Sequence, residues 1–153
     1  MVTLNQIEDF LVEKKLAIAG VSRNSKKFGY LVFKHLRERG YDICPINPNA
    51  DNIDDLKCFT SVKEIPDLYD RLLIVTQVNN TIDVLKEAID RGIKKIWIQN
   101  KSENKEVLKL AEEKNIDVIY KKCIFMFVEP VEGGHKFHRT IVKFFGSFPK
   151  RKN

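Results

Sequence analysis

What this chain lacks sets its first limits. Its 153 residues hold three cysteines, Cys44, Cys58 and Cys123, far apart, odd in number and without a C-x-x-C pair. That argues against both a disulfide framework and a structural zinc site, and it suits reduced thiols in a cytosol. Nowhere do the roughly 18 consecutive apolar residues of a membrane span occur. Met1 to Phe10 carries Glu8 and Asp9 and no long apolar core, so it does not read as a secretory signal. A cytoplasmic protein without membrane contact is the expectation. With 43% hydrophobic and 31% charged residues, the composition is that of an ordinary folded domain able to bury one core.

Acidic residues are also missing, but only at one end. From His135 onward there are six cations (Lys136, Arg139, Lys143, Lys150, Arg151, Lys152) and no Asp or Glu, while the residues before it balance at 21 against 21. The net charge of +6 therefore sits in the C-terminal segment. Such a segment could attract an acidic partner, nucleic acid or a polyphosphate. No aromatic and basic interleaving of a nucleic-acid motif accompanies it, so a solvated helix face with a frayed tail is the simpler reading.

No repeat period or low-complexity linker interrupts the chain, and apolar runs alternate with helical patterns. Strands are expected over 16–22, 41–45, 71–76, 94–99 and 116–120. Helices are expected over 28–39, after a cap at Asn80 or Thr81, after Ser102, and over about 135–145. Residues 53–66 read as a small strand and one helical turn. Strands alternating with helices mean one doubly wound α/β domain, Rossmann-like, with about five parallel strands and an extra amphipathic basic C-terminal helix. The core spans about 10–127 and the basic helix and tail about 135–153. Phe137, Ile141, Phe144 and Phe145 pattern that helix; its phenylalanines, with Phe148, could cover a sheet edge or form a homodimer patch.

In such a fold ligands bind beyond the carboxyl ends of the strands. The first of these ends is the most telling: Leu16-Ala17-Ile18-Ala19-Gly20-Val21-Ser22-Arg23-Asn24-Ser25-Lys26-Lys27-Phe28-Gly29 reads as a phosphate-binding strand, loop and helix start. It lacks the second glycine of the dinucleotide fingerprint, since Ser22 stands there and the next glycine is Gly29. Hydroxyl, amide and cationic groups replace it: Ser22, Asn24 and Ser25 can bond phosphate oxygens, and Arg23, Lys26 and Lys27 can supply charge. The carboxylate that usually holds a ribose at the second strand end is missing too; Asn47 and Pro48 stand there. A phosphorylated ribose would meet no like charge, which favours 3′-phospho-ADP or NADP-like ligands over NAD.

Together, the run from Ala19 to Gly29 and the run from Gly40 to Pro48 resemble the small single-domain CoA-binding proteins. Their fold is similar to the CoA-binding domain of the succinyl-CoA synthetase alpha subunit. The likeness continues through 61–66, 74–76, 87–94, 96–99 and 123–126. It implies a five-stranded Rossmann-like sheet holding the phospho-ADP of CoA or an acyl-CoA, with binding residues at Gly20, Val21, Ser22, Arg23, Asn24, Lys27, Phe28, Gly29, Asn47, Pro48, Thr76 and Gln99. Gln77 after Thr76, and Asn100-Lys101 after Gln99, depart from the usual pattern at the pocket mouth.

Catalysis is the weaker expectation. His35 reads as a packing or surface residue. His135 and His138 could share one helix face, but no third ligand points to a metal site. Cys123, flanked by Lys121 and Lys122 whose charge favours thiolate, is the candidate reactive thiol and a conceivable disulfide partner for CoA. Two alternatives stand beside CoA binding: a small NADP-dependent oxidoreductase or nicotinamide sensor, and an interaction or nucleic-acid-binding protein acting through its basic end.

Overall fold

Thr3 opens the first helix, α1 (Leu4–Val12). Its hydroxyl accepts the Gln6 N–H while the Gln6 side chain reaches back to the Thr3 N–H, a reciprocal cap that the T-x-x-Q spacing encodes. The computed structural model describes residues 1–131, 133–144 and 148–151, without the side chains of Phe137, His138, Ile141, Val142 and Phe144. The remaining principal elements are β1 (Lys15–Ala19), α2 (Phe28–Glu38), β2 (Asp42–Ile46), β3 (Asn52–Ile53), β4 (Leu56–Lys57), β5 (Arg71–Ile74), α3 (Val78–Asp90), β6 (Lys95–Gln99), α4 (Lys105–Glu113), β7 (Val118–Lys122) and α5 (Gly133–Phe144). Short 3-10 turns lie at Val62–Glu64 and Ile124–Met126.

Five strands form a parallel sheet in the order β2-β1-β5-β6-β7. Burial on both faces explains why these strands are nearly continuous apolar runs. Leu16, Ile18, Leu73, Trp97 and Ile119 pack on one face with α1, α2 and the 124–128 segment; Phe10 meets Trp97 edge-on at 5.5 Å. Ala17, Ala19, Leu72, Ile74, Ile96 and Ile98 face the other way, toward α3, α4 and the 62–64 turn. The β3-β4 hairpin leads to Phe59, which pairs in parallel with Ile46 at the end of β2.

From β1 the chain moves outward to β2, then returns past β1 to β5. The strand order therefore reverses between β1 and β5, where a doubly wound sheet leaves a crevice. The fold class is the Rossmann-like α/β arrangement expected from the alternation.

Several boundaries differ from expectation. β1 stops at Ala19 because Gly20, at φ 96°, turns the chain out of the sheet. β7 begins at Val118 because Asn115 turns with φ 54° and the Ile116 N–H closes onto Ala111 at the end of α4. Helix α3 starts at Val78 after Gln77, ahead of Asn80 and Thr81. The Thr81 hydroxyl is buried beside Thr76 and serves no cap.

At the C-terminal end, Phe148 stacks on Phe127 with 5.2 Å between centroids. Several of the segment's cations have partners within the chain. Arg139 pairs with Glu129, Arg151 lies 2.7 Å from Glu8, and Lys143 sits over the Phe148 ring at 4.9 Å. Phe145 and the side chains of Phe137, His138, Ile141 and Phe144 lie outside the described residues. Among the described residues no helix is long and apolar enough to cross a membrane, and no group of three or more His, Cys, Asp or Glu is placed to hold a metal ion.

Candidate functional site

Gly20 and Gly29 bring β1 and α2 into close approach. A methyl group on Gly20 would sit 2.9 Å from the backbone of Val75 and Thr76, and one on Gly29 would overlap the Gly20 carbonyl oxygen. Gly20 thus makes the tight turn against the neighbouring strand, and Gly29 lets the first turn of α2 settle on the end of β1. These are the jobs of the first and third glycines of a dinucleotide fingerprint, performed here across a longer loop.

Inside that loop the polar side chains fold the backbone. Ser22 Oγ accepts the Asn24 N–H at 3.0 Å, and Asn24 Oδ1 accepts the Lys26 N–H at 3.0 Å, two local turns of the kind these residue types favour. The Ser22 hydroxyl keeps its hydrogen to donate. Lys27 is the residue before α2, and its side chain makes no capping bond. The start of α2, which lines the cleft through Lys27, Phe28 and Gly29, thus brings the positive end of the helix dipole there without a side-chain cap.

At the second strand end Asn47 is a latch. Its Nδ2 donates to the Val21 carbonyl at 2.7 Å and its Oδ1 accepts the Asn49 N–H at 2.8 Å. The amide thereby ties the β2 end to the loop after β1 and shapes the Pro48 turn. An Asp here would set an acceptor against the Val21 carbonyl, which gives the missing carboxylate a structural reason as well as an electrostatic one.

These elements enclose a cleft of about 710 Å³ over the ends of β1, β2 and β5. Of the residues expected at the site, Gly20, Ser22, Lys27, Phe28, Gly29, Asn47, Pro48 and Thr76 line it together. Val21 is buried beneath, contributing its carbonyl to Asn47. Arg23 and Asn24 are exposed on the loop but do not line the cleft. Gln99 lies apart from it: its side chain is 4% exposed, and Oε1 accepts the Ile124 N–H at 3.1 Å, pinning the chain after β7.

The opposite wall comes from residues that strand ends alone do not nominate. Gln77, just before α3, and Asn80, Asp83, Val84 and Glu87 within it line this side together with Thr60, Ser61 and Val62. Glu87 Oε2 accepts both the Ser61 hydroxyl at 2.9 Å and the Val62 N–H at 3.0 Å, and Thr60 Oγ1 donates to Glu64 at 2.9 Å. A signal existed in the spacing of Asp83 and Glu87, which share a helix face at i, i+4. The 60–62 side of the wall depends on how the irregular segment folds.

The cysteines stay apart from this chemistry. Burial pushes the Cys44 thiol up to about 12, with the neighbouring Cys58 and Asp42 adding to the effect. Burial also raises Cys58. Cys123 is half-buried against the core, away from the cleft lining. Phe28, 42% exposed at the cleft, meets Phe125 edge-on at 5.5 Å. Phe125 in turn contacts His35 and His135, so both histidines take part in aromatic packing.

The model of the CoA binding domain family matches residues 14–129. An ADP-forming acetate–CoA ligase of Archaeoglobus fulgidus is 34% identical over 123 residues, covering 78% of this chain but 18% of the ligase. The chain thus spans about a fifth of that relative's length. An uncharacterized Bacillus subtilis protein is 28% identical over 72% of this chain and 82% of its own. Among solved structures, a conserved hypothetical protein from Pyrococcus furiosus superposes with a TM-score of 0.70 at 35% identity, covering 72% of this chain and 95% of that one.

Proposed function

Because the chain belongs to the CoA-binding domain family, we propose that the cleft over Gly20 holds coenzyme A or an acyl-CoA and that the protein works by binding, without catalysis of its own. The observation that carries the reading is the coincidence of the family match with a two-glycine strand, loop and helix opening onto a cleft of about 710 Å³. That volume lies within the roughly 300–1,000 Å³ of small-molecule sites. The diphosphate would lie over the first turn of α2, taking its N–H groups, the Ser22 hydroxyl and the Lys27 ammonium. The 3′-phosphoribose would sit by Asn47 and Pro48, which stand in place of the carboxylate that holds an unphosphorylated ribose.

Binding without catalysis is favoured by the lining chemistry. Among the described residues it contains no histidine or cysteine, and the Ser61 hydroxyl is held by a carboxylate that also caps a backbone N–H. The ligase relative is named for acetate–CoA ligation; this chain would supply the CoA-binding part of such chemistry. Its three free cysteines suit a reducing cytoplasm.

Calorimetric titration with CoA, 3′,5′-ADP, NADP and NAD tests the reading. CoA should bind, 3′,5′-ADP should bind more weakly, and NADP and NAD should give little heat. Binding of NADP in the absence of CoA binding would reject it.

A further inference from the structure

The segment beside the Asn47–Pro48 turn is fastened to α3 by one carboxylate, and we propose that Glu87 is a positioning residue for the ligand. It acts through Ser61 and Val62, holding the 60–62 segment at the nucleotide end of the cleft. The inference rests on the CoA reading above.

The segment is tied at three points. At its start it joins the end of β2: the Phe59 N–H donates to the Pro45 carbonyl and the Phe59 carbonyl accepts the Asn47 N–H, each at 2.9 Å. These bonds bring Thr60 and Ser61 near Asn47 and Pro48, and all four residues line the cleft. In the middle, Glu87 Oε2 accepts the Ser61 hydroxyl at 2.9 Å and the Val62 N–H at 3.0 Å. The Ser61 oxygen also accepts the Lys63 N–H at 3.1 Å, so one side chain links Glu87 to the 3-10 turn that follows. Beyond that turn Arg91, four residues after Glu87, donates to the Lys63 carbonyl at 2.9 Å and binds the Ile65 carbonyl and Asp67. Arg91 lies outside the cleft lining.

Glu87 thus couples two parts of the lining, the ribose side and α3, whereas Arg91 secures the same segment away from the cleft. Loss of the carboxylate should loosen the lining more than the fold. Val62 and Ile65 are buried in the core and Arg91 remains, which keeps the segment on the body of the protein. Thr60 and Ser61 are exposed and half-buried, and they would lose their fixed place at the cleft. Binding must then order them again, a cost that a preorganised wall avoids. Two hydrogen bonds to a charged acceptor set the scale at about tenfold in affinity. A carboxylate in a site for a polyanion could instead act by its charge, and the two roles predict opposite signs.

The test is calorimetric titration of the full chain with CoA, for the wild type, Glu87→Gln, Glu87→Ala and Arg91→Ala, with a thermal melt of each. Both Glu87 substitutions remove the same charge, but only glutamine keeps an acceptor oxygen for Ser61 and Val62. Glu87→Ala should weaken CoA binding by about tenfold, and Glu87→Gln should stay within about twofold of the wild type. Arg91→Ala should lower the melting temperature at least as much as Glu87→Ala, yet change CoA affinity by about twofold or less. Tighter binding by both Glu87 variants would mean that the carboxylate acts by repulsion and would overturn the proposal. So would equal losses in the alanine and glutamine variants, no loss in Glu87→Ala, or as large a loss in Arg91→Ala. If Glu87→Ala does not melt cooperatively, Ser61→Ala, which keeps the Val62 bond, should weaken CoA by about threefold, and unchanged affinity there would overturn the proposal as well. Failure of the wild type to bind CoA would instead reject the underlying reading of the cleft.

Discussion

The two walls of the cleft are built by different means. On the α2 side, backbone meets backbone: Gly20 lies against Val75 and Thr76, and Gly29 against the Gly20 carbonyl, each with no room for a Cβ. On the α3 side, side chains hold the wall, with Glu87 binding Ser61 and Val62 and Glu64 binding Thr60. The first construction is steric and admits one residue type. The second is electrostatic and can be retuned by exchanging a carboxylate for an amide.

Substitutions at the glycines should break the contrast most severely. Gly29→Ala must displace either α2 or the end of β1, and we expect a loss of about 3 kcal/mol or more, or failure to fold, in urea unfolding. Gly20→Ala adds a positive φ to a 2.9 Å backbone contact and should cost about 2–4 kcal/mol. A Gly29→Ala protein with wild-type stability would show that the helix and strand are not held by close backbone approach.

Asn47 joins the steric wall to the second strand, so its removal should have an intermediate effect. Asn47→Ala leaves the Val21 carbonyl without its 2.7 Å donor and frees the Asn49 turn, a loss of about 1–2 kcal/mol. Affinity for CoA should fall as well, because the latch sets the spacing between the first two strand ends. Asn47→Asp should be at least as damaging in stability, since a charged acceptor would face the Val21 carbonyl. A neutral outcome for both would remove Asn47 from the architecture of the site.

Much of this was legible before the structure. Continuous apolar runs ending at Gly20, Ile46 and Gln99 mark buried parallel strands, and the Gly20–Gly29 spacing locates the α2 wall of the cleft. What escaped was whatever depended on a distant partner. Gln99 looks like a strand-end ligand, but its amide finds the Ile124 N–H across the turn after β7. Helix α3 begins before the apparent caps, and the Thr81 hydroxyl lies 2.8 Å from that of Thr76 instead of capping. The α3 wall could not be assembled because the 60–62 segment has no periodic pattern; its position comes from Phe59 pairing beside Ile46 and from Glu87 reaching Ser61. Helix α1 was encoded locally by Thr3 and Gln6, a cap motif that precedes only a short apolar stripe.

The smallest expected effect separates two cations that look alike in sequence. Both Arg23 and Lys27 lie in the Gly20–Gly29 loop, yet Lys27 lines the cleft at the α2 terminus while Arg23 is exposed outside the lining. Neither supports the core, so Lys27→Ala and Arg23→Ala should each alter stability by less than about 0.5 kcal/mol. Their effects on CoA should diverge. Loss of a charge-assisted contact at Lys27 is expected to weaken affinity by about five- to twentyfold, whereas loss of Arg23 should change it by about twofold or less and vanish as salt rises, because only long-range attraction is removed. Titrations of both variants at low and high salt decide the point: a larger loss at Arg23 than at Lys27 would mean that the loop closes over the ligand and brings the arginine in.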